Sequence, residues 1–247
     1  MNTSPASFSF TALALKIVGV VMILSSLLDY ILMTIPFNPG VREWQIALAT
    51  QFVDRGVIPL VGIVFVLLGY LLDNERSAPK SFVGDLRFWA LLLSSVLGFI
   101  YLILGPWHVY NVSAQTNQAL EQINQKATQA ETQLEAQTKQ VDELIKNPQR
   151  LAELDKAIAS GQVQGEQLGR LQALKQQLDT FKKDPKALTT QVDTAKQQIN
   201  KGKEDAQSRT KTEALKLSLR TGMSSLFLAI AFIATGWTGL RGLITRN

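Results

Sequence analysis

Apolar residues fall in four blocks along the chain, at about residues 11–35, 57–72, 88–109 and 219–240, and the stretch between the last two is mostly polar. Crossing the hydrocarbon of a bilayer takes about 20 apolar residues. Backbone immersed in lipid must satisfy its own hydrogen bonds, so segments of this kind predict helices. The first block is longer than the apolar core of about 7–15 residues in a signal peptide. The run Ser25-Ser26-Leu27-Leu28-Asp29-Tyr30 is also a poor cleavage site, so a retained anchor is expected. The second block is short and starts behind Asp54-Arg55-Gly56, with Pro59 in its first turn, where a missing N–H costs little. It needs its flanks, or local thinning of the bilayer, to span. Trp89 and Trp107 bracket the third block. On a helix they would stand about 27 Å apart at about 1.5 Å per residue, close to the hydrocarbon thickness of about 30 Å. Tryptophans so placed read as an aromatic belt.

Between the first two blocks, Val41, Trp44, Leu48 and Phe52 recur at helical spacing. The pattern fits a short helix lying in the membrane interface. It fits equally well an amphipathic loop helix packed on the bundle.

Residues 111–218 change character. Phe181 is their only aromatic residue, Gln is abundant, and Lys and Glu alternate. Leu120, Ile123, Ala127, Ala130, Leu134, Gln137, Val141 and Leu144 follow the 3,4 spacing of a coiled-coil seam with one polar intruder. This predicts a helix of about 34 residues over 113–146, roughly 50 Å long. Asn147-Pro148 and Asp184-Pro185 each read as an N-cap followed by a first-turn proline. Between them, Leu151, Leu154 and Ile158 make a short amphipathic helix, Gly161, Gly165 and Gly169 loosen the chain, and Leu171, Leu174, Leu178 and Phe181 resume the pattern. After Pro185 the pattern restarts at Leu188, Val192, Ala195 and Ile199, with Gly202 as a weak point, and the last helix has no clear stop before the fourth apolar block. A seam partly of Ala and Gln packs thinly. Its stripe must be covered by the chain itself, by another copy or by a different protein.

The expected architecture is therefore all-α: three membrane helices over 1–110, a Gln-rich helical, coiled-coil-like hairpin insert over 111–218, and a fourth membrane helix with a basic tail over 219–247. Four crossings put both termini on one side. Arg76, Lys80 and Arg87 in the loop after the second helix, and Arg241 and Arg246 in the tail, outweigh Arg42 and Arg55 between the first two helices. The positive-inside rule then sets the termini in the cytoplasm and the insert in the periplasm or a lumen. Arg209, Lys211, Lys216 and Arg220, just before the fourth helix, argue the other way.

The net charge is +5, from 25 basic and 20 acidic residues. The polar block mixes both signs and has no basic run interleaved with aromatics, so nucleic acid is not an expected partner. The absence of cysteine excludes disulfides, thiol catalysis and Cys-ligated metals. His108 is the only histidine, beside Trp107, and reads as a structural residue. None of the nucleotide-binding, nucleophile-elbow or zinc-protease motifs occurs. No cofactor and no catalytic set is expected, and the protein is read as a non-enzyme.

Charges beside the apolar blocks stand out because lipid penalises them. Lys16 is expected to snorkel outward. Asp29, Asp54 and Arg55 share one membrane face in the expected topology, and an Asp29–Arg55 pair is the natural structural reading. Gly62, Gly69, Ser94, Ser95 and Gly98 permit close helix approach.

The run Val53-Asp54-Arg55-Gly56-Val57-Ile58-Pro59-Leu60-Val61-Gly62, with Leu27-Leu28-Asp29-Tyr30, Trp44-Gln45 and Pro106-Trp107-His108-Val109-Tyr110-Asn111, resembles the HpsJ-type membrane proteins of cyanobacteria. The resemblance covers about the first half of the chain. It implies a plasma or thylakoid membrane protein linked to hormogonium polysaccharide production and gliding motility, and it brings no catalytic residues. The leading expectation is a membrane scaffold or accessory subunit whose insert engages a protein partner. Self-association of the insert, and a transporter subunit resting on Asp29, Asp54 and Arg55, are the other readings.

Overall fold

A computed structural model describes residues 5–73, 84–160 and 164–245, with the side chains of residues 5–9 and 244 excepted. The described residues are helical and contain no strand. In chain order the helices are α1 (Pro5–Met33), α2 (Arg42–Arg55), α3 (Val57–Leu72), α4 (Leu86–Lys146), α5 (Pro148–Ala159), α6 (Glu166–Lys183) and α7 (Pro185–Ile244). Arg76, Lys80, Gly161 and Arg246, used above for topology and loops, lie outside the described residues. Among those described, the stretches Phe10–Met33, Arg42–Leu72, Leu86–Lys146 and Pro185–Leu243 are long and apolar enough to cross a membrane. The chain forms two compact units, Met1–Asn117 with Thr212–Asn247, and Gln118–Lys211.

In the first unit, α1 and α3 pack where glycine removes the side chain. A Cβ on Gly19 would stand 2.5 Å from the Gly62 carbonyl oxygen, and one on Gly69 2.8 Å from that of Ala12. The α4–α7 contact is built the same way: a Cβ on Gly98 would meet the Ile233 nitrogen at 2.9 Å. Ser94 Oγ donates to the Phe232 carbonyl (2.8 Å) and Ser225 Oγ to that of Tyr101 (2.6 Å). The two serine contacts are equally spaced along both helices, so α4 and α7 run antiparallel here. Helices with small residues at the contact gain dispersion energy from close approach without needing water to drive them together.

The stretch around residues 41–52 forms a helix that packs against the bundle. Ile46, Ala49 and Val53 are the buried face of α2, while Trp44, Leu48 and Phe52 are half-buried. Gln115 Nε2 on α4 donates to Glu43 Oε1 (3.2 Å). Gly56 keeps helical dihedrals (φ −62°, ψ −22°), so α2 leads almost without a break into α3. The short second apolar block thereby gains the added length it needed.

Other sequence expectations are corrected. The helix expected to begin at residue 113 is the continuation of the third apolar block. Nothing between residues 109 and 113 breaks a helix, and Pro106, inside α4, removes one hydrogen bond without ending it. Gly169 and Gly202 lie inside α6 and α7 and interrupt neither, since an interior glycine costs only about 1 kcal/mol relative to alanine. The Lys16 Nζ meets Asp73 Oδ2, just past the end of α3, at 2.6 Å and sits 4.1 Å above the Tyr70 ring.

The second unit is held more lightly. Gln207 Nε2 donates to Asn124 Oδ1 (2.8 Å), and Lys196 Nζ faces Glu135 Oε1 at 3.6 Å. The equal spacing of these pairs sets α7 antiparallel to α4 within this unit. The caps form as the sequence implies. Asn147 Oδ1 accepts from the Gln149 and Arg150 amides, and Asp184 Oδ1 from that of Lys186. Gly165, at φ 64°, precedes α6, and Lys175 pairs with Asp155 across α5 and α6.

Candidate functional site

Within the first unit, a polar hub forms around Tyr101. Its ring is fully buried and stacks on Phe232 (5.5 Å), while Tyr30 stacks on Phe52 (4.2 Å). Tyr101 Oη donates to the Phe52 carbonyl at 3.0 Å. That spends its single proton, so in the 2.8 Å contact between the two hydroxyls Tyr30 is the donor. One phenol thus ties α1, α2, α4 and α7. Gly56 makes room for it, since a Cβ there would stand 2.5 Å from the Tyr101 oxygen.

Ion pairs flank this hub. Arg55 Nη1 meets Asp29 Oδ2 at 2.7 Å, joining α2 to α1. Arg220 Nη2 reaches both oxygens of Asp54, at 2.9 and 3.0 Å, joining α7 to α2. Each carboxylate has a guanidinium, so the four residues form a neutral clasp. All are more than a third exposed. Another clasp holds Lys16 to Asp73, and Arg87 to Asp85 at 2.8 Å.

A third polar group is left unsatisfied. His108, Asn111 and Thr221 are buried, and both imidazole nitrogens, Asn111 Nδ2 and Thr221 Oγ1 have no hydrogen-bond partner among the described residues. His108 and Asn111 are one turn apart on α4. The ring lies toward the Leu217 carbonyl, one turn before Thr221 on α7, yet neither nitrogen meets hydrogen-bond geometry.

The remaining sequence-predicted residues are dispersed. Trp89 is half-exposed at the start of α4, edge-on to Phe88, and Trp107 is half-buried near the far end of the same apolar block. Leu120, Ile123, Leu134, Val141 and Leu144 form one stripe of α4 in the second unit, every one of them half-buried. Gln137 is exposed, and Thr138 turns inward in its place. The sequence reading missed Tyr101, Arg220 and Asp73. A hydroxyl in the middle of an apolar block is the signal for the first; the other two are paired by tertiary contacts with no local signature.

Among the described residues no group of three or more His, Asp or Glu side chains comes together to hold a metal. What the geometry defines is a helical protein with apolar helices fit for a membrane, clasped by polar pairs, and with a two-armed helical insert. The chain belongs to the HpsJ-like family, whose family model matches residues 10–241, nearly its whole length. No curated protein and no solved structure matches it.

Proposed function

We propose that the protein is a non-enzymatic integral membrane scaffold. Its four apolar helices cross the bilayer, and its insert binds a protein partner. The observation that carries this is the outer face of α1. Leu13, Ile17, Val21, Leu24, Leu28 and Ile31 follow one another along the helix, each more than half exposed. A contiguous apolar face of that length is not stable against water and marks a membrane or partner contact. Membership of the HpsJ-like family supports a role in hormogonium polysaccharide biosynthesis, and so a partner in a cyanobacterial polysaccharide-export and motility assembly. The termini are assigned to the cytoplasm and the insert to the periplasm or a lumen, in the plasma or thylakoid membrane.

The transporter reading loses ground because Asp29, Asp54 and Arg55 are engaged with one another and with Arg220. Self-association through the insert remains the second reading. The α4 seam already faces α7, so contact between copies would use the outer faces.

Membrane extraction tests the first part, since a protein recovered in the supernatant without detergent refutes it. Purification in mild detergent tests the second: the full chain should retain a defined partner, and deletion of residues 113–210 should abolish retention. A deletion variant that keeps every partner would remove the insert from the binding role.

A further inference from the structure

On the outer side of the α4–α7 contact, in the first unit, a cleft of about 700 Å³ runs along both helices. Its floor is backbone: a Cβ on Gly105 would stand 3.6 Å from the Gly222 carbonyl oxygen. Its walls are Leu102, Val109, Leu219, Met223 and Leu226. Polarity is confined to one end, where the hydroxyls of Tyr110, Ser113 and Ser218 form the rim. Lys216 stands one turn beyond Leu219 on the same stripe of α7, exposed and without an ion pair among the described residues.

We propose that this cleft is a binding site for one anionic lipid, its acyl chain in the groove and its phosphate at Lys216. The proposal rests on the membrane reading above. From Ser113 to Leu102 the groove runs about 16 Å at about 1.5 Å per residue, and it crosses the level of Trp107, so its polar rim stands in the headgroup region and its apolar walls reach into the hydrocarbon. A transmembrane helix of a second copy would present apolar side chains along its whole length and leave the three hydroxyls without partners. A lipid is apolar at one end and polar at the other, as the groove is. The basic side chain at the polar end selects a negative headgroup.

The test uses the full-length protein in nanodiscs of phosphatidylglycerol and phosphatidylcholine with identical chains, followed by release and native mass spectrometry. One phosphatidylglycerol should stay bound per chain. Met223→Trp fills the groove from a half-exposed position and should lose the lipid; Leu219→Trp provides a second such variant should the first misfold. Lys216→Gln should keep a lipid but lose about fivefold of the headgroup preference, the weight of one basic side chain at an anionic surface. Retention unchanged in both tryptophan variants, equal retention of phosphatidylcholine by the wild type, or a doubled protein mass in place of lipid would each overturn the proposal. A protein that integrates into the nanodisc yet carries no lipid refutes only the groove. One that never enters a bilayer refutes the membrane reading and the groove with it.

Discussion

The two compact units bury their residues differently. In the first, Tyr101, Ile63, Val66, Ala229 and Phe232 are wholly inaccessible, and helix backbones touch through glycine and serine. In the second, Leu178 and Phe181 are the fully buried residues among those described, and no residue of the long α4 seam is fully buried. The first unit is therefore specified by side-chain fit. The second is specified by helix continuity, caps and a few polar pairs, and it leaves surface to be covered. This difference sorts substitutions by size, and measured unfolding can break it.

The largest effect belongs to the hub. Tyr101→Ala opens a cavity and strands the Phe52 carbonyl and the Tyr30 hydroxyl, so a loss of about 3–5 kcal/mol is expected. Tyr101→Phe keeps the ring and removes only the hydrogen bonds, which should cost about 1–3 kcal/mol. Thermal unfolding in one detergent should separate the two variants clearly. A Tyr101→Phe variant that melted with the wild type would mean that the phenol oxygen contributes nothing and packing alone holds the hub. In the seam, Leu134→Ala removes a half-buried side chain and should cost about 1 kcal/mol, well under the fully buried range. A seam loss as large as the hub loss would erase the distinction between the units.

How far the sequence shows this division depends on range. Caps and prolines act within a turn, so Asn147-Pro148 and Asp184-Pro185 locate the starts of α5 and α7 from composition alone. The 3,4 pattern likewise marks the half-buried face of α4. The join between the third apolar block and the insert is hidden because a change from apolar to polar residues alters the surroundings of a helix without ending it. The Asp29–Arg55 contact is readable because both residues sit at the edges of apolar blocks on one expected face. Asp54–Arg220 is not, since its partners are far apart in sequence and meet only once α2 packs beside α7. The aligned hydroxyls of Tyr30 and Tyr101 are hidden for the same reason.

The polar clasp should fall below both packing effects. Asp54 and Arg220 are each substantially exposed, so a double-mutant cycle with Asp54→Asn and Arg220→Gln should give a coupling of about 0.5–1 kcal/mol, reduced by salt. A coupling of several kcal/mol would show that the pair is shielded from solvent and belongs with the hub. Thr221→Val should act in the opposite direction. The hydroxyl is buried without a partner, so an apolar group of the same shape should leave stability unchanged or raise it by up to about 1 kcal/mol. A lowered melting temperature would show that the Thr221 oxygen is bonded after all.

The smallest effect lies in the second unit, at Lys175. Its hydrogen bond to Asp155 holds the ammonium above the ordinary lysine value, with the Asp155 and Asp179 charges adding to the shift and desolvation opposing it. A folded-state value above the unfolded one means that folding favours the protonated form. The contribution is thus fully present below the ordinary lysine value and disappears as pH climbs through the raised one. Because both side chains of the pair stay substantially exposed, salt should weaken the effect at every pH. Wild type and Lys175→Gln should therefore differ slightly in helical signal loss on heating at neutral pH. They should converge in alkali, and converge also in concentrated salt. A difference that grew with alkali would require the neutral amine to be the bonded form, and the link between α5 and α6 would then not be an ion pair.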